Sequence, residues 1–167
     1  MVKRWLLRAI ILAGVIALGF WAWHLLFPGP EQVIRKQLLQ LARSATIAPN
    51  ESQLGRMGNA QKLTMFFTTD AELVVDVPGR LQHTFNGRDE IRDAAAGVRV
   101  TLRSLSVEFF DMVITVEPDK QTAVAQLTAK ATMPGENVPE VQRIKAEFKR
   151  VDGEWLINRA ETVKALR

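Results

Sequence analysis

The longest apolar run in the chain is Ala9 to Phe27, AIILAGVIALGFWAWHLLF, nineteen residues without a charge. As a helix it spans roughly 28 Å, close to the ~30 Å hydrocarbon core of a bilayer. Helical pairing satisfies every backbone group inside such a segment. Trp5 flanks one end and Trp21 and Trp23 the other, where amphipathic rings favour the interface. Lys3, Arg4 and Arg8 precede the run, and no positive charge follows it in Pro28-Gly29-Pro30-Glu31. That asymmetry predicts a single pass through the inner (cytoplasmic) membrane, with a cytoplasmic N-terminus and a periplasmic or otherwise extracytoplasmic C-terminal domain. The division that follows is a basic tail over 1–8, a membrane helix over 9–27, a linker over 28–30 and one domain over 31–167. A cleaved signal peptide is the alternative. Ala17-Leu18-Gly19 offers small residues at a suitable spacing, but the apolar run continues for eight residues beyond it.

Downstream the periodicity changes to that of a water-exposed domain. Pro30 suits the first turn of a helix, and Val33, Ile34, Leu38, Leu41 and Ala45 fall on a helical stripe that ends by Ala48-Pro49. A second helix is expected over Asn50–Phe66, with Leu54, Met57, Gln61 and Met65 as its stripe and Asn50 or Ser52 as its cap. Ala71–Val77 reads as a strand closed by Pro78-Gly79, and Leu81–Phe85 as a short return strand. Asn86-Gly87-Arg88-Asp89-Glu90 opens a third helix, with Ile91, Ala94, Ala95, Val98 and Leu102 facing inward. Four strands then form a meander: Leu105–Val116, Thr122–Met133, Glu140–Val151 and Glu154–Val163.

Period-two alternation assigns the faces of that meander. The apolar face carries Ala123, Ala125, Leu127, Ala129 and Ala131, then Ile144, Ala146 and Phe148, then Leu156, Ala160 and Thr162. The opposite face carries Gln126, Thr128 and Lys130, then Arg143, Lys145, Glu147 and Lys149, then Arg159 and Glu161. The alanine-rich face has room for the helices. Asn158 is polar among inward residues and fits either a strand irregularity or a contact to a pocket ligand. Arg143, Lys145, Glu147, Arg159 and Glu161 read as cross-strand ion pairs or as a surface for self-association or a partner.

Charge narrows the function classes. The net charge is +4, of which three units belong to Lys3, Arg4 and Arg8. From Pro28 onward 19 basic residues face 18 acidic ones, which gives no electrostatic footprint for nucleic acid. Without cysteine the chain has no disulfide, thiolate nucleophile, thiolate metal ligand or lipid-modified cysteine. Its two histidines, His24 and His83, have no partners at metal-binding spacing, so neither a metal nor another cofactor is implied.

Three local patterns carry a family resemblance. They are Phe66-Phe67-Thr68-Thr69-Asp70-Ala71-Glu72-Leu73, Phe85-Asn86-Gly87-Arg88-Asp89-Glu90-Ile91, and Phe148-Lys149-Arg150-Val151-Asp152-Gly153-Glu154-Trp155-Leu156-Ile157. In order and spacing, over Glu31–Val163, they resemble the nuclear transport factor 2-like (SnoaL-like, cystatin-like α+β) superfamily. The resemblance implies a curved, mostly antiparallel sheet wrapped around about three helices as a cone. It also invites comparison with ketosteroid isomerases, which use a Tyr in the first helix, an Asp base in the first strand and a protonated Asp in the penultimate strand. Here there is no Tyr, Leu38 and Leu39 stand near the first position, and Ala146 occupies the third. Only Asp76 survives as a base, so the isomerase oxyanion hole is missing.

The reading favoured by these residues is a membrane-anchored, non-catalytic ligand-binding or assembly module. Its partners are the lipid bilayer, through Ala9–Phe27, and a second copy or another envelope protein. Two alternatives stay open. One is a small-molecule enzyme of the polyketide-cyclase or dehydratase type, with Asp76 and His83 as its acid–base pair. The other is a structural homodimer without a ligand.

Overall fold

The structure, a computed structural model, describes residues 13–16, 18–19, 28–76, 82–135 and 138–163. Most of Ala9–Phe27 lies outside these residues, as do the Pro78-Gly79 turn and the tail over 164–167. Among the described residues no helix is long and apolar enough to cross a membrane.

Helix α1, Pro30–Ala45, begins with a proline whose missing N–H would have had no helical acceptor. Glu31 in its first turn and Arg43 in its last complement the helix dipole. Ile34, Leu38, Leu41 and Ala42 form the buried stripe. Helix α2, Gln53–Thr64, is shorter than the expected Asn50–Phe66, and Ser52 is its cap, with the hydroxyl accepting from the Gly55 N–H at 3.1 Å.

The orientation of α2 departs from the apolar pattern. Leu54, Met57 and Met65 are 84%, 67% and 66% exposed, while Ala60 and Thr64 are buried. Polar contacts explain the inversion. Arg56 donates to the Glu51 and Arg99 carbonyls, and Asn59 donates to the Glu51 carboxylate, which itself pairs with buried Arg99. Turning the face that bears Arg56 and Asn59 inward keeps the buried pair hydrogen-bonded while three flexible apolar side chains face outward.

Strand β1, Phe67–Val75, starts four residues before the expected Ala71 and pairs antiparallel with β2, His83–Asn86. Helix α3, Gly87–Thr101, follows at once. Gly87 has φ +79°, and Arg88 donates to the Phe67 carbonyl at 2.7 Å, tying the helix start to β1. The meander comprises β3, Ser106–Val116, β4, Thr122–Thr132, β5, Glu140–Val151, and β6, Glu154–Val163. The six strands lie in the order β2-β1-β6-β5-β4-β3, and only the β1–β6 pair is parallel.

Irregular registers bend this sheet. One lies in β3 between Phe110 and Val113, where Asp111 has φ +51°. Another lies opposite Glu147 and Phe148, which pair with Arg159 and Ile157 and leave Asn158 as the extra residue. The inserted residue breaks the strict alternation expected for β6. Trp155 and Ile157 are buried at its start, Ala160 beyond the bulge, and the expected inward Leu156 lies on the other side, half-buried. Across β4 and β5 the expected inner faces hold.

The core brings Ile34, Leu38 and Leu41 of α1 and Ile91 of α3 against Phe67, Ala123, Ala125, Leu127, Ala146 and Phe148. Alanines on β4 and β5 let α1 sit close to the sheet. The outer edge of β3 is joined to the end of α1. Ile47 and Leu105 exchange backbone hydrogen bonds of 2.8 and 3.1 Å, Val107 N–H donates to the Thr46 hydroxyl at 3.2 Å, and Arg35 donates to the Met112 carbonyl at 3.1 Å.

Candidate functional site

Among the described residues, the side chains of α1 and the sheet pack closely where they meet. Between Gln37, Leu38, Leu41, Phe66, Phe148 and Ile157 only a crevice remains, too narrow to seat a water molecule. Among the described residues the buried polar ones are Thr64, Thr68 and Arg99. Arg99 is committed to Glu51 at 2.9 Å and to the Ser44 carbonyl. The sequence carried a signal for it: Ile91, Ala95 and Arg99 are four residues apart, so the arginine interrupts the inner stripe of α3.

Asp76 and His83 reach the same end of the sheet, because Val75 pairs with His83 and Asp76 follows directly. Thr162 holds the Asp76 main chain, accepting from its N–H at 2.7 Å and donating to its carbonyl at 3.1 Å. The His83 ring stacks on Phe85 at 4.3 Å, tilted by 58°, and His83 is exposed. Asn158 sits at the β6 bulge, with a buried Oδ1 that accepts no hydrogen bond; Gln37 Oε1 on α1 is in the same state. Among the described residues no cluster of His, Asp or Glu could hold a metal ion.

The charged face of the sheet is partly self-satisfied. Arg159 meets Glu72 at 2.7 Å and Glu161 at 3.3 Å, and Lys145 meets Glu147 at 2.7 Å. The Glu147 carboxylate, by hydrogen bond and charge, holds the Lys145 ammonium pKa above its ordinary value. Arg143 has no ion pair among the described residues. It borders a hollow of about 400 Å³ with Asp111, Val113, Gln126, Thr128 and Val163. Val113, Val163 and neighbouring Phe110 are 64%, 41% and 39% exposed there.

A larger groove, about 670 Å³, runs between α1, the end of α2 and the β5–β6 hairpin. Val33, Phe66, Trp155 and Leu156 give it apolar walls, and Gln37, Arg43 and Lys62 give it polar ones. Neither cation has an ion pair among the described residues.

Comparison with known proteins agrees with this architecture. No curated protein matches the chain. An NTF2-like protein with a cystatin-like fold from Novosphingobium aromaticivorans is 20% identical with a TM-score of 0.62, over 78% of this chain and 79% of that one. An NTF2-like protein of unknown function from Pseudomonas putida KT2440 is 12% identical with a TM-score of 0.64, over 82% and 87%. A third, from Novosphingobium aromaticivorans and named as a candidate scytalone dehydratase, is 16% identical with a TM-score of 0.59, over 81% and 83%. At these identities the likeness shows the fold alone, which activity does not follow. The SnoaL-like domain family model matches residues 57–161, well over half of the chain, and the protein belongs to that family.

Proposed function

We propose that this protein is a non-catalytic assembly module of the cell envelope, held at the membrane by Ala9–Phe27 with its domain on the extracytoplasmic side. One observation supports the reading: Leu38, Leu41, Phe66, Phe148 and Ile157 pack together between α1 and the sheet and leave no room for a water molecule among them. The binding features lie outside, on the sheet face around Arg143, Lys145, Glu147, Arg159 and Glu161, where apolar Phe110 and Val113 lie exposed nearby. Such a mixture of exposed apolar area and an unpaired arginine suits a protein partner or a second copy.

In-cell chemical crosslinking of the full chain tests this. The pair Val113→Asp and Arg143→Glu removes the crosslinked species while the protein stays in the membrane fraction. An unchanged crosslinking pattern sinks the reading. The absence of native cysteine makes topology measurable as well. A single cysteine at Asp152 reacts with an impermeant maleimide added from outside the inner membrane; protection from it there reverses the orientation.

A second reading is enzymatic, with Asp76 and His83 as acid and base. Their placement at one end of the sheet favours it, and so does the name of one structural neighbour. If Asp76→Asn and His83→Ala leave a demonstrated turnover unchanged, this pairing is wrong.

A further inference from the structure

We infer that the groove between α1 and the β5–β6 hairpin binds one anionic phospholipid drawn from the adjoining leaflet. The inference rests on the anchoring reading above. If Ala9–Phe27 spans the bilayer, the connection through Pro28, Gly29 and Pro30 reaches only about 10 Å, because an extended residue covers at most about 3.6 Å. The first turn of α1 then faces the membrane surface. The groove lies along that helix, with Val33 in the first turn and Arg43 in the last. These residues are about 15 Å apart at 1.5 Å per residue.

Along this line the lining grades from apolar Val33, through Gln37, to basic Arg43. Lys62 of α2 adds a second cation, and both lack ion pairs among the described residues. A phosphodiester head group suits two such cations, the arginine through its fork and the lysine as a point charge. The acyl chains would run back over Val33 and Leu156 toward the bilayer. Glu154 at the hairpin is the one carboxylate on the lining, so the groove is net basic.

Trp155 borders the groove and supplies the reporter. Replacing Trp5, Trp21 and Trp23 by Phe leaves it as the only tryptophan. This full chain is reconstituted into phosphatidylcholine vesicles with a minor fraction of phosphatidylglycerol, brominated in mid-chain on one lipid or the other. The expected result is deeper Trp155 quenching by brominated phosphatidylglycerol than by equally brominated phosphatidylcholine. Arg43→Glu with Lys62→Glu should abolish the difference while circular dichroism stays unchanged. Equal quenching by the two lipids overturns the anionic assignment, and no quenching in a chain that floats with the vesicles overturns the groove. A chain that fails to float overturns the anchor, and this inference with it.

Discussion

The guanidinium of Arg99 lies 2.9 Å from the Glu51 carboxylate, and the two side chains are only 2% and 8% exposed. Removing either partner strands a buried charge, whereas replacing both by apolar groups strands none. Glu51→Ala or Arg99→Ala alone should cost about 3–5 kcal/mol, and Glu51→Leu with Arg99→Met should recover most of it. Urea titrations of the full chain in mild detergent, followed by circular dichroism, make the comparison. Singles that lose less than the double replacement would contradict it.

Two glycines in left-handed backbone should respond unequally to alanine. Gly153, at φ +87°, sits in the β5–β6 turn with Asp152 at φ +51° and open space around it. Gly87, at φ +79°, has the Thr69 carbonyl oxygen 3.2 Å from where a Cβ would stand. Both replacements pay conformational strain of about 1 kcal/mol. Gly87→Ala adds a contact with main chain that cannot swing away. Its melting temperature should fall below that of Gly153→Ala.

Acid should act through the β3–β4 turn. Asp119 accepts from the Gln121 and Thr122 N–H groups at 2.8 and 3.0 Å and from the Thr122 hydroxyl, and these bonds hold its pKa below the ordinary 3.8. A lowered folded-state pKa stabilises fully above the unfolded value, and the benefit fades as pH falls through the folded one. The difference in melting temperature between the protein and Asp119→Ala should therefore hold from neutral pH down to about 4 and shrink below it. A difference that grows in acid would have the wrong sign.

The outward stripe of α2 should tolerate polarity. Leu54→Gln, Met57→Gln and Met65→Gln should each shift stability by no more than about 0.5 kcal/mol, whereas Ala60→Gln should cost about 1–3 kcal/mol by overpacking. Thermal denaturation of the four variants decides which face of α2 is covered.

That stripe also marks how far sequence reasoning carries. Ile34, Leu38 and Leu41, the alternation through Ala123–Leu127 and Ala146–Phe148, and the Asp152-Gly153 turn were legible, because one local rule governs each. The facing of α2 was not. It depends on Glu51 and Arg99, forty-eight positions apart, finding each other in the folded chain. Likewise Leu156 was misplaced because an inserted residue in β6 shows only when its partner strand is laid beside it. Asp76 and His83 were identifiable as chemistry, and their shared end of the sheet follows from the Val75–His83 register. The groove could not be read in advance, since its walls come from α1, α2 and the last hairpin.

The junction of α1 with β3 bears on how crowded copies of this protein behave. Free strand edges invite another chain to add on, and this sheet has two. One is β2, with four residues offering little to template. The other is β3, an eleven-residue strand whose Val107 N–H and Met112 carbonyl are already engaged by Thr46 and Arg35, next to the Ile47–Leu105 bridge. A chain adding to that edge would first have to displace Thr46 and Arg35, so growth by strand addition is hindered at β3 and has only a short template at β2.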